Sequence, residues 1–430
     1  MTGIKVSALL MTAVIIGYGS GVSVEAGVPT CFKRQATIVG TNGHDELEGT
    51  DGPDVIVGLG GRDLIHGEGG NDLICGGDNP ELSDSEGEPL AEKLFGGLGS
   101  DTIHGADGRD FISGGPGYQD HLMSGKGGDA IRGGRGGDLA SGEAGNDLLS
   151  GGPGRDGLYE TLTGRTRPGD DVMRGGSGGD YLQDTRGSNV LFGEGGDDSV
   201  IGGVGRDVVD GGRSRDLVSG GYGKDIIRGG HGNDTVDYLW VYEWNGISSH
   251  REAMTVDLSR GRASGMGMDR LRHIENVWSG GGTDILIGNV AANSFFIGSA
   301  GEGANDERVF GRKGVDTITF DSSSIEGGCC SVLSIDLKDG DGLWGGGRFF
   351  VSSIENVVAS GEDDMLAGNG KANTFFGDWG NDTLRGRGGD DSLSGSLGND
   401  SLDGGPGNDI LHGGAGTDAC TNGENNQNCE

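Results

Sequence analysis

A nine-residue phrase, Gly-Gly-x-Gly-x-Asp-x-aliphatic-x, recurs between Asp45 and Asp418, as in Gly404-Gly405-Pro406-Gly407-Asn408-Asp409-Ile410-Leu411-His412. A period this short, with one aliphatic residue per copy, is incompatible with an ordinary globular core. No single unit can bury a hydrophobic face, but stacked copies can. The glycines supply turn conformations with positive φ, and the residues around the aliphatic position suffice for a very short strand but not for a helix. Two nine-residue halves then make one coil, and successive strands stack as parallel neighbours in two sheets. Stacking also brings each aspartate beside that of the next coil. Such rows repel, and a hard divalent cation with oxygen ligands converts the repulsion into attraction, so that its binding free energy becomes folding free energy. Calcium suits flexible carboxylate and carbonyl sets; magnesium dehydrates reluctantly and demands stricter geometry.

The motif aspartate falls at Asp45, Asp54, Asp63 and Asp72, and an acidic insertion at 78–92 resets the register to Asp101 and Asp110. One extra residue near Tyr118 shifts it to Asp120, Asp129, Asp138, Asp147 and Asp156. After a break at 160–168 come Asp171, Asp180, Asn189, Asp198, Asp207, Asp216, Asp225 and Asp234, and the last run is Asp364, Asn373, Asp382, Asp391, Asp400, Asp409 and Asp418. All of these aspartates except Asp120, Asp156, Asp171 and Asp364 are the candidate metal ligands. With Asp284 and Asp316 the motif position holds 26 aspartates; at about two per ion, roughly thirteen ions is the upper bound. Two positions after each aspartate lies the expected inward residue, from Leu47, Ile56, Ile65 and Ile74 through Val200, Val209, Val218, Ile227 and Val236 to Leu384, Leu393, Leu402 and Leu411.

Between 238 and 363 the pattern thins and a larger duplication appears. Val256-Asp257-Leu258 and Ile274-Glu275-Asn276-Val277 in one copy match Ile335-Asp336-Leu337 and Ile354-Glu355-Asn356-Val357 in the other, with Ile274 and Ile354 offset by 80 residues. These read as strand-containing excursions built onto the repeat. Trp240, Tyr242, Trp244 and Trp278 concentrate here, as cover for the side of the solenoid or as a ligand surface. The expected organisation is a leader at 1–26, repeats at 27–237, the duplicated region at 238–363, and C-terminal repeats with a disulfide cap at 364–430.

Composition narrows the function classes. The chain has 430 residues, 97 of them glycine, with 67 acids against 32 bases, a formal charge of −35. So little apolar content with so much charge leaves a chain disordered unless something neutralises it. Nucleic acid is excluded as a partner, because its phosphates would be repelled along most of the surface. Lys5, the apolar stretch 6–16 and the small-residue site Val24-Glu25-Ala26 read as a secretory signal peptide cleaved near Ala26, too short in its apolar part for a membrane span. The protein is therefore expected to be extracellular. Six cysteines, Cys31, Cys75, Cys329, Cys330, Cys420 and Cys429, point to disulfides in an exported chain. Cys420–Cys429 and Cys31–Cys75 are the favoured pairs, and Cys329 and Cys330 stay unassigned. No clustered Cys/His spacing for zinc appears.

The repeated nonapeptide resembles that of the RTX, or haemolysin-type, calcium-binding family. The resemblance implies a right-handed parallel β-roll with calcium between adjacent turns, held by aspartate carboxylates and glycine-loop carbonyls. By that resemblance Asp198, Asp216 and Asp234 line one edge, with Asp207 and Asp225 on the other. Asp382, Asp400 and Asp418 repeat the first arrangement, with Asp391 and Asp409 opposite. Asn189, Asn293 and Asn373 depart from the pattern, keeping an oxygen but losing its charge. Glu81, Glu92 and Glu307 share the phase in degenerate stretches and are not counted as sites.

No catalytic pattern holds up in context. Gly175-Gly176-Ser177-Gly178-Gly179 matches a nucleophile elbow without the following helix, and Gly340-Asp341-Gly342-Leu343-Trp344-Gly345 matches a dinucleotide loop without a βαβ unit. The sequence reads as a secreted, non-enzymatic, calcium-binding β-roll. A calcium-dependent adhesin or matrix protein, binding a cell-surface or polysaccharide ligand or further copies of itself, is the first alternative. A polysaccharide-modifying enzyme using Arg251, Arg260, Arg262, Arg270 and Arg272 is the second.

Overall fold

A computed structural model describes residues 5–6, 28–77, 91–160, 169–243, 246–249, 253–280, 282–298, 306–320, 332–344 and 347–429. Apart from residues 5–6, the proposed leader lies outside them, as do Glu81, Trp244, Arg251, Cys329 and Cys330 and the side chains of Trp240 and Tyr242. Regular structure among the described residues is β-strand; no helix is long and apolar enough to cross a membrane. They form two compact units, divided between Arg213 and Ser214.

In the first unit, consecutive strands alternate between two parallel sheets. One runs from Glu46–Thr50 through Leu64–Glu68 and Lys93–Phe95 to Val208–Arg213. The other runs from Ile38–Val39 through Val55–Val57 and Leu73–Cys75 to Ser199–Ile201. The architecture is the all-β parallel roll that the spacing predicts. Because strand side chains alternate between faces, the motif aspartate, the aliphatic residue two later and the glycine four later all face inward. Ile56, Ile74, Ile103, Leu122, Ala140, Leu158, Leu182 and Val200 stack in one such stripe and are buried.

The stack continues across the insertions. Leu73 pairs with Thr102 across the insertion, and Leu148 pairs with Val172 and Gly157 with Tyr181 across the break at 161–168. The extra residue near Tyr118 is absorbed in a turn, where Tyr118 is 91% exposed.

In the second unit, one parallel sheet runs from Leu217–Ser219 through Thr235–Asp237, Asn276–Ser279 and Ser294–Ile297 to Asn425–Gln427. Each copy of the duplication enters the facing sheet as a three-stranded antiparallel meander. Thr255–Asp257, Arg262–Ser264 and Met268–Arg272 form the first, between Ile285–Ile287 and Ile226–His231. Ser334–Asp336, Asp341–Trp344 and Gly347–Ser352 form the second, between Met365–Ala367 and Glu307–Phe310. The core widens here to take Tyr238, Phe295, Phe320, Phe349 and Phe375, all fully buried. Trp278 packs on Phe296 with ring centroids 5.6 Å apart.

Both favoured disulfides form: Cys31–Cys75 with Cα atoms 5.8 Å apart, and Cys420–Cys429 with 5.7 Å. The first ties the segment before the repeats to the strand Leu73–Cys75, and the second closes the last coil.

The turns carry local strain. Four residues before the aspartate, Gly134 and Gly152 have φ of 120° and 116°, but the same position holds Glu143 at 67° and Ser396 at 84°. A side chain in that left-handed region costs on the order of 1–3 kcal/mol, partly offset by the greater unfolded-state freedom of glycine. Glu143→Gly and Ser396→Gly should each stabilise the calcium-loaded protein by about 1 kcal/mol, seen as a higher thermal midpoint. Gly134→Ala should lower it.

Candidate metal centres

From Asp63 onward one contact recurs among the motif carboxylates and builds them into the roll. The Oδ1 atom of Asp63 accepts the backbone N–H of Asp45 at 2.9 Å. Asp72 accepts from Asp54 at 2.8 Å, Asp101 from Asp72 at 2.9 Å and Asp138 from Asp120 at 2.9 Å. Asp156 accepts from Asp138 at 2.8 Å and Asp180 from Asp156 at 2.8 Å. In the second unit Asp382 accepts from Asp364 at 2.8 Å, Asp400 from Asp382 at 2.8 Å and Asp418 from Asp400 at 2.9 Å. One oxygen of each carboxylate thus satisfies an amide that the preceding strand leaves over.

Asp45 and Asp54 use the second oxygen to accept the Thr41 and Thr50 amides at 2.5 and 2.7 Å, but in later coils it is left over. The Oδ2 atoms of Asp63, Asp72, Asp101, Asp120, Asp138, Asp147, Asp156 and Asp180 are buried with no hydrogen-bond partner, and so are those of Asp382, Asp391, Asp400, Asp409 and Asp418. A buried ionised oxygen without a donor is expensive. Recurring at one position in coil after coil, it marks a site designed for something other than a proton donor.

Glycine keeps that site open. A β-carbon on Gly133 would lie 2.5 Å from Asp138 Oδ2 and 2.7 Å from the carbonyl oxygen of Gly151, and one on Gly404 2.5 Å from the Asn422 carbonyl and 2.6 Å from Asp409 Oδ2. Carboxylate and carbonyl oxygens of neighbouring coils therefore converge beside the same glycine. An all-oxygen, carboxylate-rich donor set of this kind fits calcium.

Strand register orders the carboxyl groups into rows. In the first unit, one row holds Asp45, Asp63, Glu92, Asp110, Asp129, Asp147, Asp171, Asn189 and Asp207. The other holds Asp54, Asp72, Asp101, Asp120, Asp138, Asp156, Asp180 and Asp198. In the second unit Asp216 and Asp234 share a row with Glu275, Asn293, Asp316, Glu355, Asn373, Asp391, Asp409 and Glu424. Asp225 precedes Asp269 in the opposite row, where Asp364, Asp382, Asp400 and Asp418 also follow one another.

Several members of these rows were not counted from sequence. Glu92 and Glu307 occupy aspartate slots after all: Glu92 is buried, and Glu307 accepts the Asp284 amide at 2.8 Å. Glu275 and Glu355, the acidic residues of the two Ile-Glu-Asn segments, accept from Asp234 at 2.9 Å and from Asp316 at 3.1 Å. Glu424 accepts from Asp409 at 2.7 Å in the last coil. A glutamate reaches the same slot with one extra methylene, and the 80-residue offset was the signal for Glu275 and Glu355. Asp269, carried by a meander strand without motif glycines, accepts from the Asp225 amide at 3.1 Å and from the Tyr238 hydroxyl at 3.0 Å; no repeat signal marks it.

Electrostatics follow from burial. Desolvation, opposed by the inter-coil amide and reinforced by the Asp45 charge, pushes Asp63 up to about 7. The same causes, with neighbouring row members in place of Asp45, take Asp120 and Asp382 to about 7 and Asp147 to about 8. Burial thus favours the protonated form of these carboxyl groups, and a cation can take the place of the proton.

A family model described as the RTX calcium-binding nonapeptide repeat (4 copies) matches residues 37–78, 86–118, 123–158, 167–182, 174–209, 210–238, 358–393 and 385–420, more than half of the chain. No curated protein matches it. Among solved structures, the chain is similar to a hyperactive, Ca2+-dependent, beta-helical antifreeze protein from an Antarctic bacterium, at 14% identity over 89% of each chain with a TM-score of 0.28.

Proposed function

Because the chain belongs to the RTX calcium-binding nonapeptide repeat family, we propose that calcium bound between its coils folds it, and that it works outside the cell as a calcium-dependent, non-catalytic β-roll. The observation that carries this reading is the set of buried Oδ2 atoms lacking donors, which recurs at Asp63, Asp72, Asp101, Asp120, Asp138, Asp147, Asp156 and Asp180 in the first unit and at Asp382, Asp391, Asp400, Asp409 and Asp418 in the second. In this reading the candidate ligands are the twenty aspartates singled out from sequence, joined by Asp120 and Asp156, which carry the same unpartnered Oδ2, and by Glu92, Glu275, Glu307 and Glu355. Residues 27–237 and 364–430 are the repeat segments, 238–363 is the duplicated region, and the Cys420–Cys429 loop covers the last coil. Before export, at low calcium, like charges within each row hold the chain open; outside, ions bring the coils together.

The absence of a catalytic role has its own support. Ser177 ends the strand Val172–Ser177 and leads into a repeat turn. In the arginine group, Arg260 is paired with Asp257 at 3.2 Å. Metal analysis of protein recovered from the culture medium should give several tightly held calcium ions per chain, up to about thirteen, with an N-terminus near Gly27. Protein carrying no stoichiometric calcium, or retaining residues 1–26, would count against the corresponding half of this reading.

A further inference from the structure

Four buried carboxyl groups stand together in the first unit, two of them where a repeat turn ordinarily has glycine. The residue four places after the motif aspartate is Gly133, Gly142 and Gly151 in the coils before, and Gly193 and Gly202 in those after. After Asp156 that position is Glu160, and after Asp180 it is Asp184. Neither breaks the fold: Gly157–Tyr159 and Tyr181–Gln183, the strands they follow, pair in register.

Both side chains point into the row of motif aspartates. One carboxylate oxygen from each of Asp147, Glu160 and Asp171 lies within 4.8 Å of the other two. A β-carbon on Gly142 would meet Asp147 Oδ2 at 2.6 Å and would also strike Glu160 Oε1, so the glycine of the preceding coil makes room for both. Asp184 sits beside Asp171. It accepts the Arg186 amide through Oδ1 at 2.9 Å.

The second observation is what these oxygens lack. Glu160 is 4% exposed and Asp184 1% exposed. Glu160 Oε1 and Asp147 Oδ2 are buried without a hydrogen-bond partner, while Asp171 and Asp184 turn their carboxyl groups toward each other, a pairing that needs a proton or a cation between them. Coulombic influences on Glu160 come from Asp171, Asp184 and Asp147, all of them acids. The next residue in the row is Asn189, whose Oδ1 accepts the Asp171 amide at 2.9 Å but brings no charge. Asp184, five residues before Asn189, puts a carboxylate back into that coil.

We propose that Asp147, Glu160, Asp171 and Asp184 form a separate hard-cation site, the tightest calcium site of the first unit, which the nonapeptide alone does not encode. Affinity in oxygen-ligand sites rises with the number of charged ligands and with rigidity. This site has twice the two carboxylates expected of a repeat site, all buried. The inference rests on the reading that the rows hold calcium, and its test separates the two.

Calorimetric titration of the chelator-treated full chain with calcium should show one ion binding at least tenfold more tightly than the mean of the rest. In Glu160→Gln/Asp184→Asn that ion should weaken at least tenfold, while the remaining ions and the calcium-saturated β spectrum persist. Glu160→Gly/Asp184→Gly, which restores the residue usual at this position, should bind one ion fewer and still fold. An unchanged tightest class and unchanged stoichiometry in both variants would overturn this site and leave the repeat sites standing. No calcium uptake by the unsubstituted chain would overturn both.

Discussion

Replacing Asp382, Asp400 and Asp418 together by alanine should leave the 214–430 unit unfolded even in millimolar calcium. Each side chain does two jobs. Through Oδ1 it accepts the amide of Asp364, Asp382 or Asp400 at 2.8, 2.8 and 2.9 Å, and its buried Oδ2, which has no donor, is the oxygen that the proposed sites give to calcium. Alanine removes both. Three buried amides without acceptors cost about 1–3 kcal/mol each, a large part of the roughly 5–15 kcal/mol that holds a domain together. The lost ions come on top. Asparagine separates the two jobs, because it retains the acceptor and drops the charge, as Asn189 does where it accepts the Asp171 amide at 2.9 Å. The triple asparagine variant should therefore fold, with a calcium midpoint at least tenfold higher, read by far-ultraviolet circular dichroism against free calcium. Equal midpoints for the unsubstituted chain and the asparagine variant would mean that these carboxylates are not ligands.

The second large effect is an inverted response to acid. Desolvation raises Asp63, Asp72, Asp120, Asp129 and Asp382 to about 7 and Asp147 to about 8 in the roll, against about 3.9 in an unfolded chain. Between those values the folded form binds more protons than the unfolded form, so stability without metal falls as pH rises from about 4 to about 8. It is greatest below the unfolded value, and the penalty is complete above the folded one. Many carboxyl groups shift together, so the effect accumulates. In excess chelator, lowering the pH from 8 to 5 should restore β structure to a disordered chain. With calcium present, the same acidification should release ions, since protons compete for the same oxygens. A metal-free chain that loses order on acidification would contradict this assignment of the buried acids.

The sequence was most legible where the period was strict. Leu47, Ile56, Ile65 and Ile74 are buried because a nine-residue spacing leaves one inward aliphatic position per strand and the alternation of strand faces does the rest. The two rows of aspartates follow from the same arithmetic. Legibility failed where a residue entered a row from outside the motif. Glu92 shares the motif phase but ends an acidic insertion without the motif glycines, yet Lys93 pairs with Leu64 and carries it into place. Asp269 arrives on a meander strand, 44 residues after Asp225, and only tertiary pairing brings the two together. Glu160 and Asp184 stand where the motif asks for glycine, so pattern matching reads them as decay. Their burial beside Asp147 and Asp171 gives them a different meaning.

The most direct test of cation-driven folding is a reversible calcium titration of the mature, disulfide-intact chain at neutral pH, followed by circular dichroism. The expected result is a disordered spectrum in chelator, a cooperative rise of β signal as calcium is added, and its loss when chelator is returned. An unaltered β spectrum after complete metal removal at that pH would contradict it.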